Sequence, residues 1–299
     1  MTRLGFAAPD RGQPVVLEAA PGTAAVIDHL RAVIAGWPGA PAGPPDRPAA
    51  GRISVAAEGL WLLESDTLED GEARFDNALA AANAVAGVLI GGLLAARPDW
   101  LCLHAAALDL PGGAGTIVLP GAHKAGKSLF AASAAARGST VLADDRAVLQ
   151  PAPGGGATVI AMGVQPKLRL PLPAALPPDI AGFVAARLGA AEGGMRFLAL
   201  SAGRDAGALL PFGARLPLGA LCFLDREPDG HDPACLPLRP AEAIARLIPY
   251  IYAPGLDAAG RVAAAQRLVG TGPALMLRYR QCWDALALLP GSVQAAATP

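Results

Sequence analysis

The chain has 299 residues, enough to bury a large core, and a formal net charge of −1 from 24 Lys and Arg against 25 Asp and Glu. This balance excludes the clustered basic surface that a phosphodiester backbone requires, so no nucleic-acid partner is expected. Four cysteines, Cys102, Cys222, Cys235 and Cys282, have no C-x-x-C and no zinc spacing, and read as small buried hydrophobes of a reducing compartment.

The first ten residues hold no apolar signal region, so a cytoplasmic protein is expected. Short apolar runs follow, Pro14 to Leu17 and then Ala24 to Ala35 at near-helical spacing. Trp37 to Gly51 is a Pro/Gly-rich loop or linker, and residues 53–57 and 60–63 around Glu58-Gly59 predict a hairpin. The acidic stretch Glu64 to Arg74 reads as a solvated face. Ala78 to Ala96 has Asn83 as its only polar side chain and approaches the length of a membrane span, but its alanines, glycines and asparagine favour a helix buried in protein, and no membrane partner is expected. Arg97 to Trp100 marks a boundary.

From Leu101 the pattern turns to strands. Leu101 to Leu110 carries His104, a Pro/Gly turn follows, and Thr116 to Leu119 feeds Gly121-Ala122-His123-Lys124-Ala125-Gly126-Lys127-Ser128, ahead of a helix that opens with Leu129. This is G-x-x-x-x-G-K-[ST] between a strand and a helix, the setting in which the pattern means phosphate binding. Glycines let the backbone aim its N–H groups at the phosphates, and the helix N-terminus adds roughly half a positive charge. Lys127 reaches the terminal phosphates and the Ser128 hydroxyl is placed for Mg²⁺. Lysine usage supports the assignment. The chain has three lysines, Lys124, Lys127 and Lys167, against twenty-one arginines, and two of the three lie in this loop. Residues 121–129 are therefore the candidate nucleotide-binding set, and a nucleoside triphosphate is the candidate ligand.

Val141 to Ala143 predicts a strand ending in Asp144-Asp145-Arg146, two carboxylates where metal ligation or general-base chemistry belongs beside a phosphate loop. Further on, Thr158 to Met162 and Ala220 to Leu224 read as strands, Pro240 to Tyr252 and Asp257 to Val269 as helices, Ala274 to Tyr279 as a late strand and Trp283 to Leu289 as a short helix. Residues 176–218 yield no assignment.

The ordered set of His104, the loop 121–128 and Ala143-Asp144-Asp145-Arg146, with the aspartates seventeen and eighteen residues after Lys127, resembles the catalytic domain of HPr kinase/phosphorylase and its HPr-kinase-related relatives. The resemblance implies an α/β fold: a P-loop nucleotide-binding domain of the HPr kinase C-terminal, phosphoenolpyruvate-carboxykinase-like type, a mixed sheet with flanking helices, plus a smaller N-terminal α+β segment. It implies residues 1–97 as a substrate-recognition or docking segment with a linker at about 37–51, residues 98–290 as the ATP-binding catalytic domain, and residues 291–299 as a tail. The implied function is an ATP-dependent serine kinase using ATP and Mg²⁺. The implied catalytic residues are Asp144 as base, His104 hydrogen-bonded to that aspartate, and Lys127 on the β- and γ-phosphates; Ser128 and Asp145 would serve the metal. The order of the two aspartates is left open. The partner would be a protein or peptide carrying an acceptor serine, with homo-oligomerisation left open.

Two departures matter. The fourth loop position, usually glycine in that family, is Lys124, so either the loop backbone differs or a second ammonium faces the phosphates. The family's Leu-Glu-x-Arg-Gly-x-Gly motif should fall near residue 168, where the chain reads Pro166-Lys167-Leu168-Arg169-Leu170-Pro171 without a glutamate. That puts the second metal contact and the phosphorylase activity in doubt and disfavours HPr itself as the substrate; Lys167 is either a phosphate or acidic-group ligand or a solvated residue. A nucleotide sensor without turnover, or an ATPase driving a partner, are the alternatives.

Overall fold

Period-2 apolar patterning near the N-terminus forms strands, and one apolar helix covers them. In the computed structural model, which describes residues 1–113, 115–152, 155–192, 194–227, 232–253 and 255–297, the chain begins with β1 (Thr2–Phe6), β2 (Val15–Ala19), α1 (Ala24–Val33), β3 (Gly39–Ala40), β4 (Gly51–Val55), β5 (Trp61–Glu64), β6 (Glu72–Phe75) and α2 (Ala78–Ala95). The strands form a six-stranded mixed sheet in the order β3-β1-β2-β4-β5-β6, and the expected hairpin is β4–β5, with Ile53 opposite Leu63. Asn77 caps α2 by accepting a hydrogen bond from the Ala80 N–H at 2.8 Å. By length and composition α2 is a helix that could cross a membrane. Within the fold Leu79, Val85, Leu89 and Leu93 are at most 3% exposed, each contributing ~1.5–3 kcal/mol of burial. A helix apolar all round is thereby accommodated as a core element.

The rest of the chain contributes β7 (Leu101–Leu103), β8 (Ala105–Leu110), β9 (Gly115–Pro120), α3 (Lys127–Ala136), β10 (Thr140–Ala143), β11 (Ala147–Pro151), β12 (Ala157–Ile160), β13 (Lys167–Arg169), α4 (Pro178–Ala185), β14 (Leu188–Glu192), β15 (Met195–Leu198), β16 (Arg215–Arg226), β17 (Ala234–Pro237), α5 (Pro240–Leu247), β18 (Ile251–Tyr252), α6 (Ala258–Val269), β19 (Ala274–Tyr279), α7 (Cys282–Ala285) and α8 (Leu289–Ala297). A ten-stranded sheet runs β10-β8-β9-β16-β12-β11-β7-β18, with β19 on β16 and β17 on β19. It is mixed: β9, β16 and β19 are mutually parallel and the hairpin partners antiparallel. The strands β13-β15-β14 form a third, antiparallel sheet, of which β14 and β15 lie within the residues that sequence patterning leaves unassigned.

His104 alone separates β7 from β8, yet these strands lie near opposite ends of the sheet order, so the sheet curls until β7 and β8 follow one another end to end. Its inner face gathers Leu103, Ala105, Ala107, Val118, Leu142, Leu149 and Phe223 beneath α5 and α6. Its outer face is divided. Ala106, Leu108, Ile117, Leu119, Cys222 and Leu277 pack under α3 and α7, whereas Cys102, Val148 and Ile160 join the core of the N-terminal sheet and α2. Arg97, just past α2, ties the end of that helix to the β1–β2 connection with two 2.7 Å hydrogen bonds to Asp10, and its guanidinium lies over the Trp100 ring. The Arg97 guanidinium holds the Asp10 carboxyl down at about 2.

Three elements differ from expectation. The strand 101–110 is broken at His104. The helix beginning at Pro240 ends at Leu247, because Pro249 has no N–H to continue it, and a 3₁₀ turn leads into β18. The expected tail is α8 through Ala297, anchored by Leu289 and Val293, which are at most 3% exposed; residues 298 and 299 lie outside the described residues.

Candidate functional site

The apolar alternation runs unbroken through His104, with Leu101, Leu103, Ala105 and Ala107 inward. His104 therefore faces outward at the seam between the two outer cores. Asp144, Asp145 and Arg146 occupy the matching crossing between β10, the neighbour of β8, and β11, the neighbour of β7. Both crossings leave the ladder at the same place, which frees side chains to meet. His104 Nδ1 lies 2.9 Å from Asp145 Oδ1, and Arg146 Nη1 lies 3.7 Å from Asp145 Oδ2. Asp145 has φ 67°, a left-handed backbone that a non-glycine residue adopts at some cost. Burial pushes the Asp145 pKa up, but the His104 hydrogen bond and the charges of Arg146, His104 and Lys167 more than reverse it, so the carboxyl is held well below the usual range. The expected bond from His104 to Asp144 is not made; the one-residue offset of the crossing gives the histidine to Asp145.

Asp144 is 1% exposed and points elsewhere. Its Oδ2 accepts the Lys167 N–H at 3.1 Å, and its Oδ1 is buried without a hydrogen-bond partner. Burial pushes this carboxyl up to about 6, helped by the Asp145 charge; the Ser128 hydroxyl beside it, the Lys167 N–H and the Lys127 charge pull the other way. The hydroxyl thus lies close enough to favour the carboxylate without satisfying Oδ1.

The loop 121–128 connects β9 to α3 and reaches the same end of the sheet. Gly126, at φ 97°, turns the chain into the helix. Lys124 adopts φ 67° and is exposed, so the loop keeps a glycine-like backbone at this position while carrying an outward ammonium. Lys127 donates to Gly121 O at 2.7 Å and to Ala122 O at 3.2 Å. Burial lowers its pKa, while Asp145 and Asp144 raise it, which places the ammonium in the field of both carboxylates. The exposed ring of His123 lies 3.1 Å from Arg169 Nη2.

Sequence reasoning missed several contributors. Tyr279 donates to Ala125 O at 2.7 Å and holds the loop from a strand 154 residues away in sequence, for which no local signal exists. Arg146 reaches α2, donating to Asn83 Oδ1 and to Asn83 O at 3.3 Å each. The segment 167–169, singled out for lacking a glutamate, does border the site, but contributes the Lys167 backbone to Asp144 and the Arg169 guanidinium to His123. The cysteines behave as expected: Cys102, Cys222 and Cys282 are buried and Cys235 partly so.

No family model and no curated protein matches the chain. Among solved structures, the HPr(Ser) kinase/phosphatase from Coxiella burnetii aligns with 65% of this chain and 94% of its own length, at 10% sequence identity and a TM-score of 0.33. That is a distant structural relationship between mixed α/β folds.

Proposed function

We propose that the chain is an ATP-dependent, Mg²⁺-requiring phosphotransferase that moves the γ-phosphoryl group to a hydroxyl, a serine of a protein or peptide. The observation that carries this reading is the convergence, at one end of the curled sheet, of a glycine-bearing loop on a helix N-terminus with two carboxylates in contrasting surroundings: Asp145 paired with His104, and Asp144 buried with an orphaned oxygen. Phosphoryl transfer needs positioning, charge neutralisation and one carboxylate to orient the attacking hydroxyl, and these groups supply each of them.

The loop N–H groups and the N-terminus of α3 bind the phosphates of the substrate, and Lys127 exchanges its two loop carbonyls for phosphate oxygens. Asp144, with its unpartnered Oδ1, and the neighbouring Ser128 hydroxyl would hold a divalent cation, which would neutralise charge on the phosphate oxygens. The acceptor oxygen bonds to the γ-phosphorus as the bond to the bridging oxygen breaks and ADP leaves. Asp145 Oδ2, which faces Arg146 at 3.7 Å while Oδ1 is taken by His104, orients the acceptor hydroxyl, whose proton leaves with the transferred phosphoryl group. This assignment reverses the order of the aspartates favoured by sequence, because the histidine contacts Asp145 and the Ser128 hydroxyl neighbours Asp144.

The test is transfer of label from γ-labelled ATP to serine peptides or a host lysate, with and without Mg²⁺. Wild type should label a discrete acceptor, Lys127→Ala and Asp145→Asn should lose at least roughly a hundredfold, and His104→Ala should lose less than Asp145→Asn. Saturable ATP binding without any label transfer would replace the reading with a sensor, and free phosphate without acceptor label with an ATPase. Full transfer by Asp145→Asn would rule out Asp145 as the group that orients the acceptor.

A further inference from the structure

A cavity of about 420 Å³ opens between the N-terminal half and the curled sheet, lined by Leu68, Ala84, Val88, Cys102 and Tyr252, and His104 and Asp145 also line it. Its volume falls at the low end of the ~300–1,000 Å³ typical of ligand pockets, enough for a few residues of extended chain and too small for a folded surface. The helix α2 forms one wall, and its glycines make the close fit possible. A Cβ on Gly87 would meet Arg146 Nη2 at 3.2 Å, and one on Gly91 would meet Thr67 Cβ at 3.0 Å. The wall thus lets Arg146 and the 67–68 loop lie directly on the helix backbone.

We infer that this cavity is the acceptor site, and that it selects a short extended peptide in which the serine neighbours a large apolar side chain. The role rests on the phosphotransferase reading above; the preference rests on the cavity itself. The two formal charges lining it, Asp145 and Arg146, offset one another at 3.7 Å, and Arg146 is further engaged by Asn83. A charged neighbour of the serine would therefore lose hydration without gaining an unengaged counter-ion, whereas an apolar one gains contact with Leu68, Ala84 and Val88. Peptide is favoured over a compact small molecule by β18. This strand ends the ten-stranded sheet order, pairs only with β7 among the described residues, and places Tyr252 in the cavity wall, so its outer edge can take main-chain hydrogen bonds from an added strand.

The probe is a set of fluorescein-labelled octapeptides with a central serine, differing only in the following residue, read by anisotropy against the full-length protein and, in parallel, by label transfer from ATP. Peptides with Leu or Phe beside the serine should bind at least roughly tenfold tighter than those with Gly, Asp or Lys. Ala84→Phe, which fills the cavity, should erase that difference. Leu68→Glu, on a half-exposed loop, should shift the preference towards the Lys peptide, an outcome that a merely destabilised protein would not produce. Equal binding across the set, a charged preference in wild type, or an apolar preference surviving Ala84→Phe would overturn the inference. Because anisotropy reads binding without turnover, an apolar preference with no label transfer supports the cavity's specificity and removes only the kinase reading.

Discussion

Replacing the Asp144 side chain by an amide, Asp144→Asn, isolates the cost of the buried carboxylate through its pH dependence. Its pKa stands at about 6 in the folded chain against 3.8 for the free side chain, a shift of roughly two units, or about 3 kcal/mol. Because the folded value is the higher one, the native state holds the proton more tightly than the unfolded state. Wild type is therefore destabilised progressively as pH rises from 3.8 through about 6, and is level above that. The variant's amide does not titrate. It keeps an oxygen for the Lys167 N–H but buries an NH₂ where Oδ1 stood, a fixed penalty of about 1–3 kcal/mol at every pH. The difference between the two proteins should accordingly move by about 2 kcal/mol in favour of Asp144→Asn between about pH 4 and pH 8. Urea unfolding of both proteins in EDTA across that range measures it. Parallel stability curves, or a wild type that gains on the variant as pH rises, would refute the burial argument and the cation reading of Oδ1 with it.

The remaining predictions concern the loop, the helix that walls the cavity, and the junction. Lys124→Gly should be about 1 kcal/mol more stable than Lys124→Ala in denaturant melts, because only glycine relieves the φ of 67°; equal stabilities would mean the backbone is unstrained there. Tyr279→Phe removes the donor to Ala125 O and should cost about 1–2 kcal/mol while weakening ATP affinity in titration calorimetry. Unchanged affinity would show that the tyrosine supports the core and not the loop. Leu89→Ala, at 0% exposure in α2, should lose about 2–5 kcal/mol in urea unfolding. Acidification through about pH 4 to 2 should weaken the contribution of the Arg97–Asp10 pair, since the Asp10 carboxyl is depressed to about 2 and its stabilisation is lost as pH falls through that value. Arg97→Met should flatten that part of the stability curve; an unchanged curve would show the pair to be inert.

What was legible in the sequence is what depends on neighbours a few residues away. The turn from β9 into α3, the β4–β5 hairpin, α2, and α6 with its Asp257 cap are local patterns, and each forms where the pattern lies. The mixed α/β character follows from the same reading. The three-stranded sheet β13-β15-β14 was not legible, because Pro and Gly punctuate residues 165–213 and the pairing of Lys167 with Phe197 spans α4 and β14. α8 holds Pro290 and Gly291, poor helix formers, and exists because Leu289 and Val293 are drawn into the core. At the site, His104, the loop 121–128 and the two aspartates come together in space, but which aspartate meets His104 depends on the turn of the backbone at φ 67°, a tertiary property that spacing does not encode.

The single-residue link at His104 has a consequence for how such a site can change. Leu103 and Ala105 both face inward, so one residue inserted or deleted between β7 and β8 would carry every side chain of one strand to the opposite face. Substitution at this position alters chemistry alone, whereas a change of length would invert part of the core. The histidine position is thus locked by counting as well as by identity. The cavity wall along α2 and the 67–68 loop can be reshaped by exchanging single side chains, while the hinge between the strands stays at one residue.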